Sequence, residues 1–79
     1  MQDEIHIGNL IKNKLKEDGR SALWLAKKIN CERTNIYKIF EKPSINTSLL
    51  LKIALLLKTN FFAHYSEVYK NKVDEMDKV

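Results

Sequence analysis

Apolar residues recur along this chain at steps of three and four, the spacing that gathers them on one side of a helix. Ile7, Leu10, Ile11 and Leu15 form the first stripe and predict a helix over about residues 7–16, with Gly19 at the reversal beyond it. Leu25, Ala26 and Ile29 predict a second helix that Ser21 can cap. Ile36, Ile39 and Phe40 predict a third, which ends where Pro43 disfavours helical geometry at Lys42. A fourth, over roughly 45–57, turns Ile45, Leu49, Leu50, Ile53, Leu56 and Leu57 to the core, with Ser44 or Asn46 as its cap. A fifth begins near Asn60 with Phe62, Tyr65, Tyr69 and Val73 in register. Beyond residue 70 mixed charge replaces the apolar pattern, which predicts a frayed or disordered tail. The expected architecture is all-α, a compact five-helix bundle over residues 1–69 followed by a tail over 70–79.

The join between the second and third stripes carries the most information. Ala26 is small enough to let two helices cross closely, and Asn30 falls where the chain must reverse, a left-handed position that Asn tolerates. Cys31 supplies a small apolar plug under the turn. Glu32 stands at the cap position of the third helix, where Ser, Thr, Asn or Asp would cap better. Two short amphipathic helices joined this tightly form a helix-turn-helix.

Residues 7 to 62 resemble the phage-repressor (XRE/Cro) type of helix-turn-helix domain, whose fold is a lambda-repressor-like bundle. The likeness runs through Leu25-Ala26, the Asn30-Cys31 turn, Ile36, Ile39 and the run SLLLKIALLL. The chain departs from that pattern at Asn30, where Gly is usual, at Phe40, often Glu, and at Ala22, where a phosphate-contacting Gln is common. The resemblance implies that the third helix enters the DNA major groove and that its first turn, and the position one turn later, meet base edges.

With Ile36, Ile39 and Phe40 turned inward, Thr34, Tyr37, Lys38 and Glu41 face outward and Arg33 lies in the first turn. Arg33, Thr34, Asn35, Tyr37 and Lys38 are the expected base-contacting set. Arg holds guanine bidentately, Asn pairs with adenine, Thr offers a hydroxyl and a methyl, and Lys approaches guanine as a point charge. Arg20 and Ser21, beside the start of the second helix, are expected at phosphate, as are Lys42, Ser44, Asn46 and Thr47 beyond the third. Leu51 and Leu55 lie one helical turn apart on the side of the fourth helix away from its core stripe. They fit either a buried contact with the fifth helix or, as the preferred reading, a dimer seam.

Charge sharpens this picture. Of 14 basic and 10 acidic residues, residues 20–42 hold six and two, so the helix-turn-helix carries the whole net +4. That coincidence is what attraction to phosphate requires. At 79 residues the chain has room for one domain and none for a small-molecule effector domain. Its single cysteine excludes an internal disulfide, and neither a signal peptide nor a membrane span is legible, so a cytoplasmic protein is expected. His6, His64 and Cys31 lack the paired spacing of a metal site, and no nucleophile stands near a His and a carboxylate. No metal, cofactor or enzymatic activity is therefore expected. The expected function is sequence-specific binding of double-stranded DNA by a small transcriptional regulator acting as a homodimer. The alternative is an antitoxin-like accessory protein that binds another protein through its fourth and fifth helices.

Overall fold

The structure, a computed structural model, describes residues 5–77. These form five helices and no strand: α1 (Ile7–Glu17), α2 (Ala22–Lys28), α3 (Arg33–Phe40), α4 (Thr47–Leu57) and α5 (Phe62–Asp77). The core is gathered from the first four helices and the residue before the fifth. Ile7, Ile11 and Leu15 of α1 meet Leu25 and Ala26 of α2, Ile36 and Ile39 of α3, and Leu50, Ile53, Ala54 and Leu57 of α4. No polar or charged side chain is buried among the described residues. The core is held by apolar burial alone.

Helix boundaries follow local chemistry. The Ser21 hydroxyl accepts from the Trp24 amide at 3.0 Å and starts α2, as expected. Asn30 adopts φ 58° and the Cys31 amide donates to the Ala26 carbonyl at 2.9 Å, so the turn between α2 and α3 closes on the left-handed residue. Gly19 does the same for α1 at φ 68°, with Arg20 donating to Leu15 at 2.8 Å. Between the two candidate caps of α4 the structure selects Asn46, whose Oδ1 accepts from Ser48 at 2.7 Å and Leu49 at 3.2 Å. That cap moves the start of α4 to Thr47, and Ile45 lies outside the helix.

Three further features differ from the sequence reading. Lys58 takes a left-handed conformation, and the tight bend after it seats Phe61 in the core at 2 % exposure. The buried aromatic is therefore Phe61, and α5 begins after it at Phe62, whose amide donates to Asn60. Of the residues read as one stripe of the fifth helix, Tyr65 and Tyr69 are 39 % and 71 % exposed, and Phe62 alone packs, half-buried, against the core; no residue of α5 is fully buried. The helix also continues through residues 70–77, where loss of the apolar pattern predicted a frayed tail; residues 78–79 lie outside the described residues. Apolar periodicity reports packing, and α5 packs on the core only where it starts, through the half-buried Phe62.

The molecule is consequently less compact than expected. Its extents are 48 × 22 × 21 Å and its radius of gyration is 14.2 Å, against roughly 12 Å for a compact domain of this length. At 16 residues α5 is about 24 Å long and accounts for the excess.

Candidate nucleic-acid interface

α3 is held at both ends. At its N-terminal end the α2–α3 turn is fixed by Asn30, although Glu32 caps without a side-chain hydrogen bond. At its C-terminal end the carbonyls of Lys42 and Pro43 accept from the amides of Gly8 and Ile7, each at 2.9 Å. Two otherwise unsatisfied amides of the α1 N-terminus thereby hold the loop that follows α3. Gly8 permits this approach, because a β-carbon there would stand 2.3 Å from the Phe40 carbonyl oxygen. The His6 imidazole, which accepts from the Asn9 amide at 3.1 Å, caps α1 beside the same loop.

The five expected base-contacting residues, Arg33, Thr34, Asn35, Tyr37 and Lys38, are all exposed on α3. They do not form a single row. Tyr37 stands edge-on to Phe40, ring centroids 5.9 Å apart, on the side of α3 that faces Lys12 of α1. Asn35 and Lys38 lie on the opposite flank, where with Lys42 they border a hollow of about 290 Å³ floored by Ile29, Ile39 and Leu49. Cys31, half-buried, opens into that hollow, and its thiol donates to the Glu32 carbonyl at 3.5 Å. Lys38 thus serves both the outer face and one flank.

Among the expected phosphate contacts, Arg20, Ser21, Lys42, Ser44, Asn46 and Thr47 are also exposed. Ser21 and Asn46 spend acceptor capacity on their caps, which leaves the hydroxyl hydrogen of one and the side-chain amide hydrogens of the other to donate outward. The Arg20 guanidinium lies over the Trp24 ring at 4.5 Å, and the Lys28 ammonium over the same ring at 5.8 Å. Trp24, off the core stripe of α2, is half-buried and orders two cations. The four-residue steps from Arg20 to Trp24 to Lys28 are the sequence signal for this arrangement.

Leu51 and Leu55 are 50 % and 69 % exposed on α4, which removes the buried contact with α5 as their explanation. No group of three or more His, Cys, Asp or Glu that could hold a metal occurs among the described residues. Nor is any helix among them long and apolar enough to cross a membrane. Compared with protein-family models, curated proteins and solved structures, the chain matches none.

Proposed function

We propose that this chain is a sequence-specific binder of double-stranded DNA, a small transcriptional regulator of the phage-repressor helix-turn-helix kind. The observation that carries the reading is the exposure of Arg33, Thr34, Asn35, Tyr37 and Lys38 together on a helix clamped at both ends. Rigidity matters because base readout depends on angle as well as reach, and a bidentate Arg–guanine contact tolerates little tilt. In this reading Arg33, Asn35 and Lys38 choose bases, while Arg20, Lys42 and the donors of Ser44, Asn46 and Thr47 hold phosphates and fix the register. The protein acts as a homodimer through Leu51 and Leu55, so that two copies of α3 meet half-sites about 34 Å apart. Occupying an operator is then sufficient for repression.

Selection of bound duplexes from a random pool, followed by titration of Arg33→Ala and Lys38→Ala, tests the proposal. The recovered site is expected to be palindromic. Each substitution is expected to cost about 1–3 kcal/mol of discrimination at its base position while leaving helicity unchanged. Failure to enrich any site, or discrimination untouched by both changes, defeats it.

A second reading, an antitoxin-like accessory module, is favoured by the exposed Leu51, Leu55, Tyr65, Tyr69 and Met76 of α4 and α5. It is told apart by Leu51→Gln with Leu55→Gln. Under that reading the paired change abolishes the main activity, whereas under the first it lowers affinity and leaves base choice intact.

A further inference from the structure

The lysines of α1 are sorted in a way that the net charge of the N-terminal segment hides. Lys14 pairs with Glu17 at 3.7 Å and with Asp18 at 3.3 Å, so both acids at the end of α1 are engaged by one lysine. Lys12 and Lys16, one turn apart on another face, are exposed and take part in no ion pair among the described residues. They converge with Arg20 on a hollow of about 210 Å³ between α1 and α3, floored by Leu15 and Phe40 and walled by the Tyr37 ring. No carboxylate among the described residues lines it. Glu41 borders the neighbouring hollow, beyond Tyr37 and Phe40, which Lys12 also borders.

We propose that Lys12, Lys16 and Arg20 form a second phosphate track, which grips the DNA backbone along the α1 side of α3. The inference rests on the DNA-binding reading of α3 and deepens it. A helix lying in a major groove has a sugar-phosphate strand on each side, about 12 Å apart. On one flank of α3 stand Lys38 and Lys42, bordering one hollow; on the other stand Lys12, Lys16 and Arg20, bordering another. The cations therefore bracket the helix as the two strands would. Arg20 is held by a cation–π contact with Trp24, its guanidinium carbon 4.5 Å from the ring centroid, which spends no N–H donor and leaves these groups for phosphate oxygens. Tyr37 borders the same hollow, so on this reading its hydroxyl serves as a phosphate donor in place of a base reader.

The test is the salt dependence of binding to a 20-base-pair duplex of mixed sequence, measured for the full chain, for Lys12→Gln with Lys16→Gln, and for the control Lys52→Gln with Lys70→Gln. Loss of two phosphate contacts is expected to flatten the slope of log K against log salt by about 1.8, at about 0.9 per contact. The control removes the same charge from α4 and α5 and is expected to leave the slope within error of the parent. On a selected site the first pair is expected to weaken binding equally for matched and mismatched sequences, since phosphate contacts carry no base information. Amine labelling of the unaltered chain adds a readout independent of substitution: bound duplex should protect Lys12 and Lys16 and leave Lys52 and Lys70 reactive. An unchanged slope, an equal effect of the control pair, or equal labelling with a duplex bound overturns the track and leaves the base-reading helix standing. A chain that binds no duplex at all overturns both.

Discussion

At the scale of single residues, the two glycines show that one amino acid can be required for unrelated reasons. Gly8 is helical, and Ala would normally be preferred there by about 0.5–1 kcal/mol. Its position is set instead by space: the atoms a β-carbon would strike are the carbonyls of Ile39 and Phe40, backbone that cannot rotate away. Gly8→Ala should therefore push α1 off the end of α3 and strain the Gly8–Lys42 and Ile7–Pro43 hydrogen bonds. Overpacking of this kind costs about 1–3 kcal/mol, and for a domain of this size 2 kcal/mol lowers the melting temperature by roughly 8–16 °C. Gly19 has open space around it, and φ 68° is its only constraint, so Gly19→Ala should cost about 1 kcal/mol through backbone conformation alone. Thermal unfolding followed by circular dichroism checks both. An unshifted melting temperature for Gly8→Ala would mean that the close approach at Gly8 is relieved without cost.

At the scale of elements, the helices that pack were legible and their partners were not. Stripes such as Ile36-Ile39-Phe40 and Ile7-Ile11-Leu15 report which face is buried, because burial of that face is what selects them. The outward set on α3 followed directly from the same wheel. The close approach at Gly8, the hollow that unites Lys12, Lys16 and Arg20, and the seat of Phe61 each join residues from different elements. Such meetings leave no periodic trace. The fourth helix shows the same limit on a smaller scale: its buried line is Leu50, Ile53, Ala54 and Leu57, with Leu49 and Leu56 only half-buried. Ala54 lies at the centre of that line, and its small side chain gave the pattern little weight. The sequence offers Ser44 and Asn46 alike as the cap of α4, and the side-chain oxygen that reaches the first free amides is that of Asn46. Asn46→Ala should cost about 1 kcal/mol of stability, while Ser44→Ala should be neutral. If chemical denaturation returns the reverse order, Asn46 owes its place to DNA contact and not to capping.

At the scale of the whole molecule, the anomaly is a 16-residue helix with no fully buried residue, following a core helix that exposes two leucines. Isolated helices of about this length are marginal in water, so α5 gains from an assembly that shields its apolar stripe of Tyr65, Tyr69, Val73 and Met76. A two-fold dimer uses each contact twice, and fully burying a leucine contributes about 1.5–3 kcal/mol. Leu51 and Leu55 begin 50 % and 69 % exposed, so their four copies can supply several kcal/mol toward association before other contacts are counted. In the proposed dimer, replacing both with Gln removes that gain and places polar groups in the seam. The dimer dissociation constant is expected to rise at least 100-fold, which corresponds to about 2.8 kcal/mol. Sedimentation across a concentration series reads this directly, and duplexes carrying one or two half-sites read its consequence: the variant should bind the single half-site as the parent does and lose the advantage on the pair. A parent chain that remains monomeric at every concentration, on duplex and off it, removes the dimer and leaves α3 to recognise a single half-site on its own.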